Sequence, residues 1–187
     1  DPDAMGVLPI CVGKATKLSE YIASSIKEYK AIVTLGKTTT TQDSSGEVIE
    51  ERQVNCSEND ILNIVNSFKG EIMQTPPMYS AIKINGKKLY ELAREGKEIE
   101  RKQRKITIYN IEVTKFIDKE HFEITVLCSK GTYIRALCND IGEKLGCGAH
   151  MSYLLRTRTG NFYIDDAIKL EDIDNILENN KLDTILI

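Results

Sequence analysis

Ile106-Thr107-Ile108-Tyr109-Asn110-Ile111-Glu112-Val113-Thr114-Lys115-Phe116, a short gap, Phe122-Glu123-Ile124-Thr125-Val126-Leu127, and then Cys128-Ser129-Lys130-Gly131-Thr132-Tyr133-Ile134-Arg135: the fold class turns on this run. The first two segments are β-branched and alternate well enough to be a pair of antiparallel strands. Lys130-Gly131-Thr132 is turn chemistry, and a helix is predicted from about Tyr133 to Leu145, closed by Gly146 and Gly148. Upstream, a helix is predicted over Ala15 to Ile26, a strand over Glu28 to Leu35, polar turn chemistry over Lys37 to Gly46, and a strand near Glu47 to Val54. Ser57 reads as the N-cap of a helix through Phe68, with Asp60 in its first turn and Gly70 ending it. Thr75-Pro76-Pro77 forces a turn, Asn85-Gly86 signals a hairpin, and Lys88 to Arg94 is a short helix stopped at Gly96. Downstream come a last strand over Tyr153 to Tyr163 and an acidic helix, Leu170 to Leu177, whose apolar face is expected to pack on the body. Strands and helices mix without regular alternation. The expectation is one α+β domain over residues 1–187, a mixed and largely antiparallel sheet flanked by helices.

Composition narrows the function classes. The 187 residues suffice for one domain with a sizeable core, and 41% apolar with 28% charged content is ordinary for a globular protein. No apolar run approaches the roughly 20 residues that span a bilayer, so no membrane role is expected. The five cysteines are scattered without a Cys-x-x-Cys pair, which argues against a disulfide framework or zinc site and for a reducing, cytoplasmic setting. Only His121 and His150 could join a metal or His-based site; His150 is expected to be structural. No metal and no cofactor is expected, since phosphate-loop and dinucleotide-binding patterns are missing as well. Any catalysis must use carboxylate, phenol, guanidinium or hydroxyl groups of the chain.

The net charge of −3 hides a strong asymmetry. Between Pro77 and Lys105, nine lysines and arginines against four glutamates leave +5, while Asp165 to Ile187 carries −5. A basic segment on an acidic protein fits a polyanion contact on one face, or equally a solvated helix with paired charges.

Three stretches interrupt structural patterns with polar groups: Asp1 to Lys17, too rich in Pro and Gly for a regular element; Tyr29 with Leu35-Gly36-x-x-Thr39; and Cys128 to Arg135. Together they resemble the TruB-type tRNA pseudouridine synthases. That family's catalytic motif, Gly-x-Leu-Asp-Pro-x-Ala-x-Gly-Val-Leu-Pro, is met from the aspartate onward by Asp1 to Pro9. Further matches are Gly13-x-Ala15-Thr16-Lys17, Pro77-x-Tyr79-Ser80-Ala81-x-Lys83, Gly86-x-x-Leu89-Tyr90 and Ser129-Lys130-Gly131-Thr132-Tyr133-Ile134-Arg135. Gly142-x-x-Leu145-Gly146-x-Gly148-Ala149-His150 and Tyr153-Leu154-x-Arg156 complete the set, so the resemblance covers Asp1 to about Leu177.

The resemblance implies a pseudouridine synthase-like fold and conversion of a uridine to pseudouridine in the T-loop of tRNA. Asp1 would be the catalytic carboxylate, and Arg135 would pair with it. Tyr29 would stack on the extruded base with its phenol where a proton leaves C5, and Leu154 would wall the base pocket. Lys17, Lys130 and Tyr133 would contact backbone or pocket. The basic segment at about 77–105 would be an insertion that closes over the RNA loop, mobile until RNA binds. The implied partner is the tRNA T stem-loop, met by a monomer with no obligatory protein partner.

Two other readings share these motifs, a guide-dependent relative and a non-catalytic RNA-binding or chaperone module. The family pattern also begins upstream of Asp1, with Lys-Pro-x-Gly and Gly-His-x-Gly segments, and bacterial members usually add a small C-terminal RNA-binding domain. Asp1 to Ile187 is therefore expected to be one piece of a longer chain; a protein truly starting at Asp1 would be folding-impaired or inactive.

Overall fold

The computed structural model describes residues 4–84 and 86–178. Asp1, Pro2 and Asp3, the Asn85 of the expected hairpin, and residues 179–187 lie outside that range. In chain order the elements are β1 (Met5–Gly6), a 3₁₀ turn (Gly13–Leu18) running into α1 (Ser19–Ser24), β2 (Lys27–Leu35), β3 (Lys37–Thr39), β4 (Val48–Glu51) and α2 (Glu58–Asn66). Then come β5 (Gly70–Gln74), β6 (Lys83–Ile84), β7 (Lys87–Lys88), α3 (Leu89–Arg94), β8 (Arg104–Phe116) and β9 (His121–Cys128). α4 (Ile134–Leu145), β10 (Ala149–Thr159), β11 (Phe162–Tyr163) and α5 (Ile173–Glu178) complete the described chain.

The main sheet runs β1-β10-β2-β9-β8-β5, with β11 folded back on β10. Only the β1–β10 pairing is parallel; every other pairing is antiparallel. The expected α+β class and the central β8–β9 pair are as observed. In β9 every second residue is buried (Phe122, Ile124, Val126, Cys128), the period of a sheet with one face in the core. A bulge between Ile108 and Asn110 lets Ile106, Ile108 and Ile111 all reach that core despite their uneven spacing.

The core is closed by α2 and α4. Ile61 and Val65 from the first, Phe68 just after it, and Ile134, Leu137, Cys138 and Ile141 from the second, join Ala31, Val33, Leu35 and the β9 face in one buried cluster. Helix α2 starts where expected: Ser57 and Asp60 form a capping box, with the Asp60 N–H donating to Ser57 Oγ at 3.3 Å and the Ser57 N–H to Asp60 Oδ2 at 2.9 Å. Helix α4 ends at Gly146, which takes the left-handed conformation (φ 79°).

Four expectations need correction. The Asp1–Lys17 stretch is not wholly irregular, because Met5–Gly6 pairs with β10 and Gly13–Leu18 forms a 3₁₀ turn. Lys37–Thr39, inside the expected polar turn, is a strand paired with β4. Gly70 does not merely end a helix; it opens the edge strand β5, which pairs with β8. The acidic C-terminal helix splits at Ile173 and fully buries none of its described residues: Leu170 is 85% exposed while Ile173 and Ile176 are half-buried, so its apolar face is not taken into the core.

Candidate active site

In a two-period ladder, residues paired directly across strands share a face. Ala31 stands opposite Leu154, and Tyr29 opposite Arg156, on the face that α4 covers further along β2. Beyond the end of that helix the same face opens into a cleft of about 340 Å³. Its walls are Tyr29 and Leu154 with Arg156, and its edge is the backbone of Ala4, Met5 and Gly6. Tyr29 is mostly buried, and that burial pushes its phenol above the usual value of 10.0. The Arg156 guanidinium, its partner across the β2–β10 ladder and its neighbour in the cleft wall, works in the opposite direction.

Gly6 is required where it stands. Its φ of +113° disfavours any side chain, and an added Cβ would lie 2.1 Å from the Arg156 carbonyl oxygen. The loop thereby lies flush on β10, with Val7 N–H donating to Arg156 O at 2.9 Å. Ala4, three residues after Asp1 in the chain, is already in the cleft wall.

Arg135 does not line this cleft. It projects from the first turn of α4, 7% exposed, and its acceptors among the described residues include Thr41, Asp43 and Tyr79. Nη1 donates to Thr41 O at 3.0 Å and to Asp43 Oδ2 at 3.1 Å, and Nη2 donates to Tyr79 O at 2.9 Å. The expected pairing with Asp1 falls outside the described residues. Asp43 itself is fixed by its neighbours, since Oδ1 accepts from Thr41 Oγ1 at 2.6 Å, Ser45 Oγ at 2.6 Å and the Ser45 N–H at 3.0 Å. An isolated bridge to Met151 ties this loop to β10, three residues before Leu154.

The Asp43 carboxyl is held below the ordinary 3.8. Burial alone would raise it, but the Ser45 and Thr41 hydroxyls, the Ser45 N–H and the Arg135 cation outweigh burial. A depressed folded value contributes stability that is complete above the unfolded value and is lost as pH falls through the folded one. Urea unfolding of wild type and Asp43→Asn between pH 7 and pH 2.5 should therefore show a wild-type advantage that is constant above about pH 5 and shrinks below it. An advantage independent of pH would contradict this account of Asp43.

Of the weaker sequence candidates, Tyr133 is half-buried at the N-cap of α4. Its N–H donates to Gln74 Oε1 at 2.9 Å while Gln74 Nε2 donates to its carbonyl at 3.0 Å, so the buried Gln74 side chain sets where α4 begins. Lys130 is exposed in the turn after β9, near enough to Lys27 to depress its ammonium after burial and Arg156 have done so. Lys27, Lys130 and Arg156 thus make one end of the sheet basic. Lys17 is exposed on the 3₁₀ turn and does not line the cleft. His150 is a satisfied structural residue, as expected, with Nδ1 3.1 Å from Lys37 O. Asp43, Gln74 and Arg156 are the site residues that sequence reasoning passed over as such. For Arg156 a signal existed, since the Leu154-x-Arg156 spacing puts both on one face of a strand.

The basic segment is rooted at this site through the Tyr79 carbonyl. Leu89 and Leu92 anchor α3 inside, and Arg94 and Lys88 lie over the Tyr90 ring. Lys87 and Lys97 share Glu95, whereas Lys83, Lys102 and Arg104 meet no acid among the described residues. A larger cleft of about 500 Å³ lies at the other end of α4, among Gln53, Cys56, Asp60, Lys144 and Cys147. No group of three or more potential metal ligands occurs among the described residues.

The TruB family pseudouridylate synthase N-terminal domain matches residues 1–134, and the tRNA pseudouridylate synthase B C-terminal domain matches residues 135–187. The chain belongs to the TruB family. It is 56% identical over 179 residues to tRNA pseudouridine synthase B of Alkaliphilus oremlandii (strain OhILAs), covering 96% of this chain and 59% of the relative. Against the Bacillus pumilus (strain SAFR-032) protein of that name it is 50% identical over 193 residues, covering 100% of this chain and 62% of the relative. The chain thus spans about three fifths of the curated relatives it matches. Among solved structures, a chain of a Cbf5-Nop10-Gar1 complex superposes with a TM-score of 0.73 at 33% identity, covering 100% of this chain and 46% of that one. A chain of an H/ACA ribonucleoprotein bound to a substrate RNA containing 2′-deoxyuridine gives 0.69 at 29%, covering 100% and 45%. The seam between the two family segments falls at the start of α4, yet β10 beyond it pairs with β2 before it, so both segments share one sheet.

Proposed function

We propose that this chain is the catalytic part of a tRNA pseudouridine synthase that isomerises a uridine in the T-loop, in the cytoplasm, as a monomer and without a cofactor. The observation that carries the reading is the cleft in which Tyr29 and Leu154 meet the backbone of the loop that follows Asp1. The target base is flipped out of the loop, at a cost of a few kcal/mol, to stack on Tyr29 against Leu154. The Asp1 carboxylate attacks the base or sugar, or takes the C2′ proton, while the N1–C1′ bond breaks and the freed ring turns to present C5. As C5 bonds to C1′ the carboxylate is released, or returns the C2′ proton. The C5–H electron pair then re-forms the C5–C6 double bond, the displaced pair goes to N1, which takes up a proton, and the C5 proton leaves toward the Tyr29 oxygen. Arg135 orients the acid, and the 77–105 segment closes over the RNA with its cations on phosphates.

Two other readings fit less well. A guide-dependent enzyme is supported by likeness to chains solved in H/ACA assemblies at 29–33% identity, against 50–56% for the tRNA pseudouridine synthase B relatives. A non-catalytic RNA-binding module would need the same pocket without turnover.

The test is incubation of the full-length protein with an unmodified tRNA transcript, then nuclease mapping of pseudouridine. Expected is modification of a single T-loop uridine without guide RNA or partner protein. Modification elsewhere, or only with a guide, would overturn the T-loop assignment or the stand-alone one. In the same material, backbone hydrogen exchange over residues 77–105 should slow when tRNA is added. Unchanged exchange there would contradict closure.

A further inference from the structure

We propose that Arg156 is a positioning residue for this reaction, locking the loop that follows Asp1 against the strand that carries it, beside Tyr29. The inference rests on reading the cleft as a uridine pocket.

Strand β1 is two residues long, so the loop gets little hold from a ladder of its own. What fastens it is a two-way clasp on a single residue. Val7 N–H donates to the Arg156 carbonyl at 2.9 Å, and Arg156 Nε donates back to the Val7 carbonyl at 2.8 Å. Met5 and Gly6 register against Leu155 and Arg156, and the absent Gly6 side chain lets the two backbones touch. On its other side Arg156 registers with Tyr29, and the β10–β2 ladder slips by a bulge immediately afterwards, before Arg158. Bulges re-aim side chains, and this one falls where a guanidinium must turn toward a loop and a phenol together. With Nε committed to Val7, the charge of the planar fork is held beside Tyr29, its cross-strand partner in the same cleft wall. A lysine could supply the charge there but not both contacts.

The same contact tunes the phenol. Burial raises it, and the Arg156 charge beside it lowers it. The other titratable groups facing it are few. Cys128 on β9 is pushed up to about 11 by burial, so it is a neutral thiol at pH 7, and Lys130 stands in the turn beyond. Met5 and Gly6 of β1 bring no charge. Arg156 is thus the cation that opposes burial at Tyr29 and favours the phenolate, the form able to accept the C5 proton.

The experiment uses the full-length protein with Arg156→Met and Arg156→Lys, each also in a Tyr29→Phe background. Ultraviolet titration of phenolate, with the Tyr29→Phe trace subtracted, isolates the Tyr29 midpoint. It should move to higher pH in Arg156→Met and return toward wild type in Arg156→Lys. Single-turnover tritium release from tRNA carrying [5-³H]uridine should fall about tenfold per unit of that move in Arg156→Met, its rising limb displaced to higher pH, with KM for tRNA nearly unchanged. Arg156→Lys should keep the limb but turn over more slowly, since the loop is no longer held. An unmoved midpoint, or a pH profile of Arg156→Met that overlays wild type, overturns the proposal. The titration needs no substrate. A wild-type protein that releases no tritium therefore fails the reading of the cleft, and the titration then decides Arg156 alone.

Discussion

Replacing Arg135 with methionine is expected to cost about 3–5 kcal/mol of stability and at least ~10³-fold in turnover. The substitution removes the hydrogen bonds to Thr41 O, Asp43 Oδ2 and Tyr79 O in one step. What remains is worse than an empty site. The Asp43 carboxylate, whose side chain is 16% exposed, loses the cation that offsets its burial, and two carbonyls lose their donor. The Thr39–Asp43 loop and the root of the basic segment at Tyr79 then have nothing in common to hold. Arg135→Lys should recover little, because a compact ammonium cannot span three acceptors. Urea unfolding and single-turnover kinetics read both effects. The double variant Arg135→Met with Asp43→Asn separates them, since it should regain the stability lost to the uncompensated Asp43 charge and none of the activity. An Arg135→Met protein within 1 kcal/mol of wild type and fully active would refute this account of the guanidinium.

The second large effect has a sign opposite to helix propensity. Gly142 sits inside α4, where Gly→Ala ordinarily gains roughly 1 kcal/mol. Here a Cβ would lie 2.2 Å from the Ala149 nitrogen and 2.3 Å from the Gly148 carbonyl carbon, both backbone atoms that cannot swing aside. The Gly148 N–H also donates to Gly142 O at 3.0 Å, so helix and strand touch main chain to main chain. Gly142→Ala should therefore destabilise by about 3–5 kcal/mol, at the severe end for a single methyl group. Because α4 carries Arg135 and β10 carries Leu154 and Arg156, forcing them apart should also lower turnover in whatever fraction folds. Thermal unfolding decides between the two signs. A raised or unchanged melting temperature would show that the contact is looser than described.

How much of this was legible in the chain depends on the range of the interaction. Local chemistry was readable: the Ser57–Asp60 capping box, Gly146 past α4, and the alternation in β9 all depend on residues within a few positions of one another. The edge strand β5 was not, because it has five residues, begins at a glycine that doubles as a helix stop, and leaves Met73 exposed. Asp43 hid in a run of Thr, Ser and Asp with the composition of an ordinary turn. Its significance comes from Arg135, 92 positions away. The apolar pattern of Leu170 to Leu177 misled for a related reason, since amphipathicity gives a helix a face to bury but not a surface to bury it on. For the site, motif resemblance singled out Tyr29 and Leu154, and the two line one cleft. Arg156 was quoted within a motif but given no role, which only the clasp to Val7 supplies.

The central claim is that a carboxylate at Asp1 performs the glycosidic rearrangement in the cleft of Tyr29 and Leu154. Release of tritium from C5-labelled uridine in tRNA tests it most directly, comparing the full-length wild-type protein with Asp1→Asn, which keeps the shape of the side chain and removes its charge. The account predicts release stoichiometric with one uridine per tRNA by wild type and none above background by Asp1→Asn. Equal release by both proteins, or none by the intact enzyme, would contradict it.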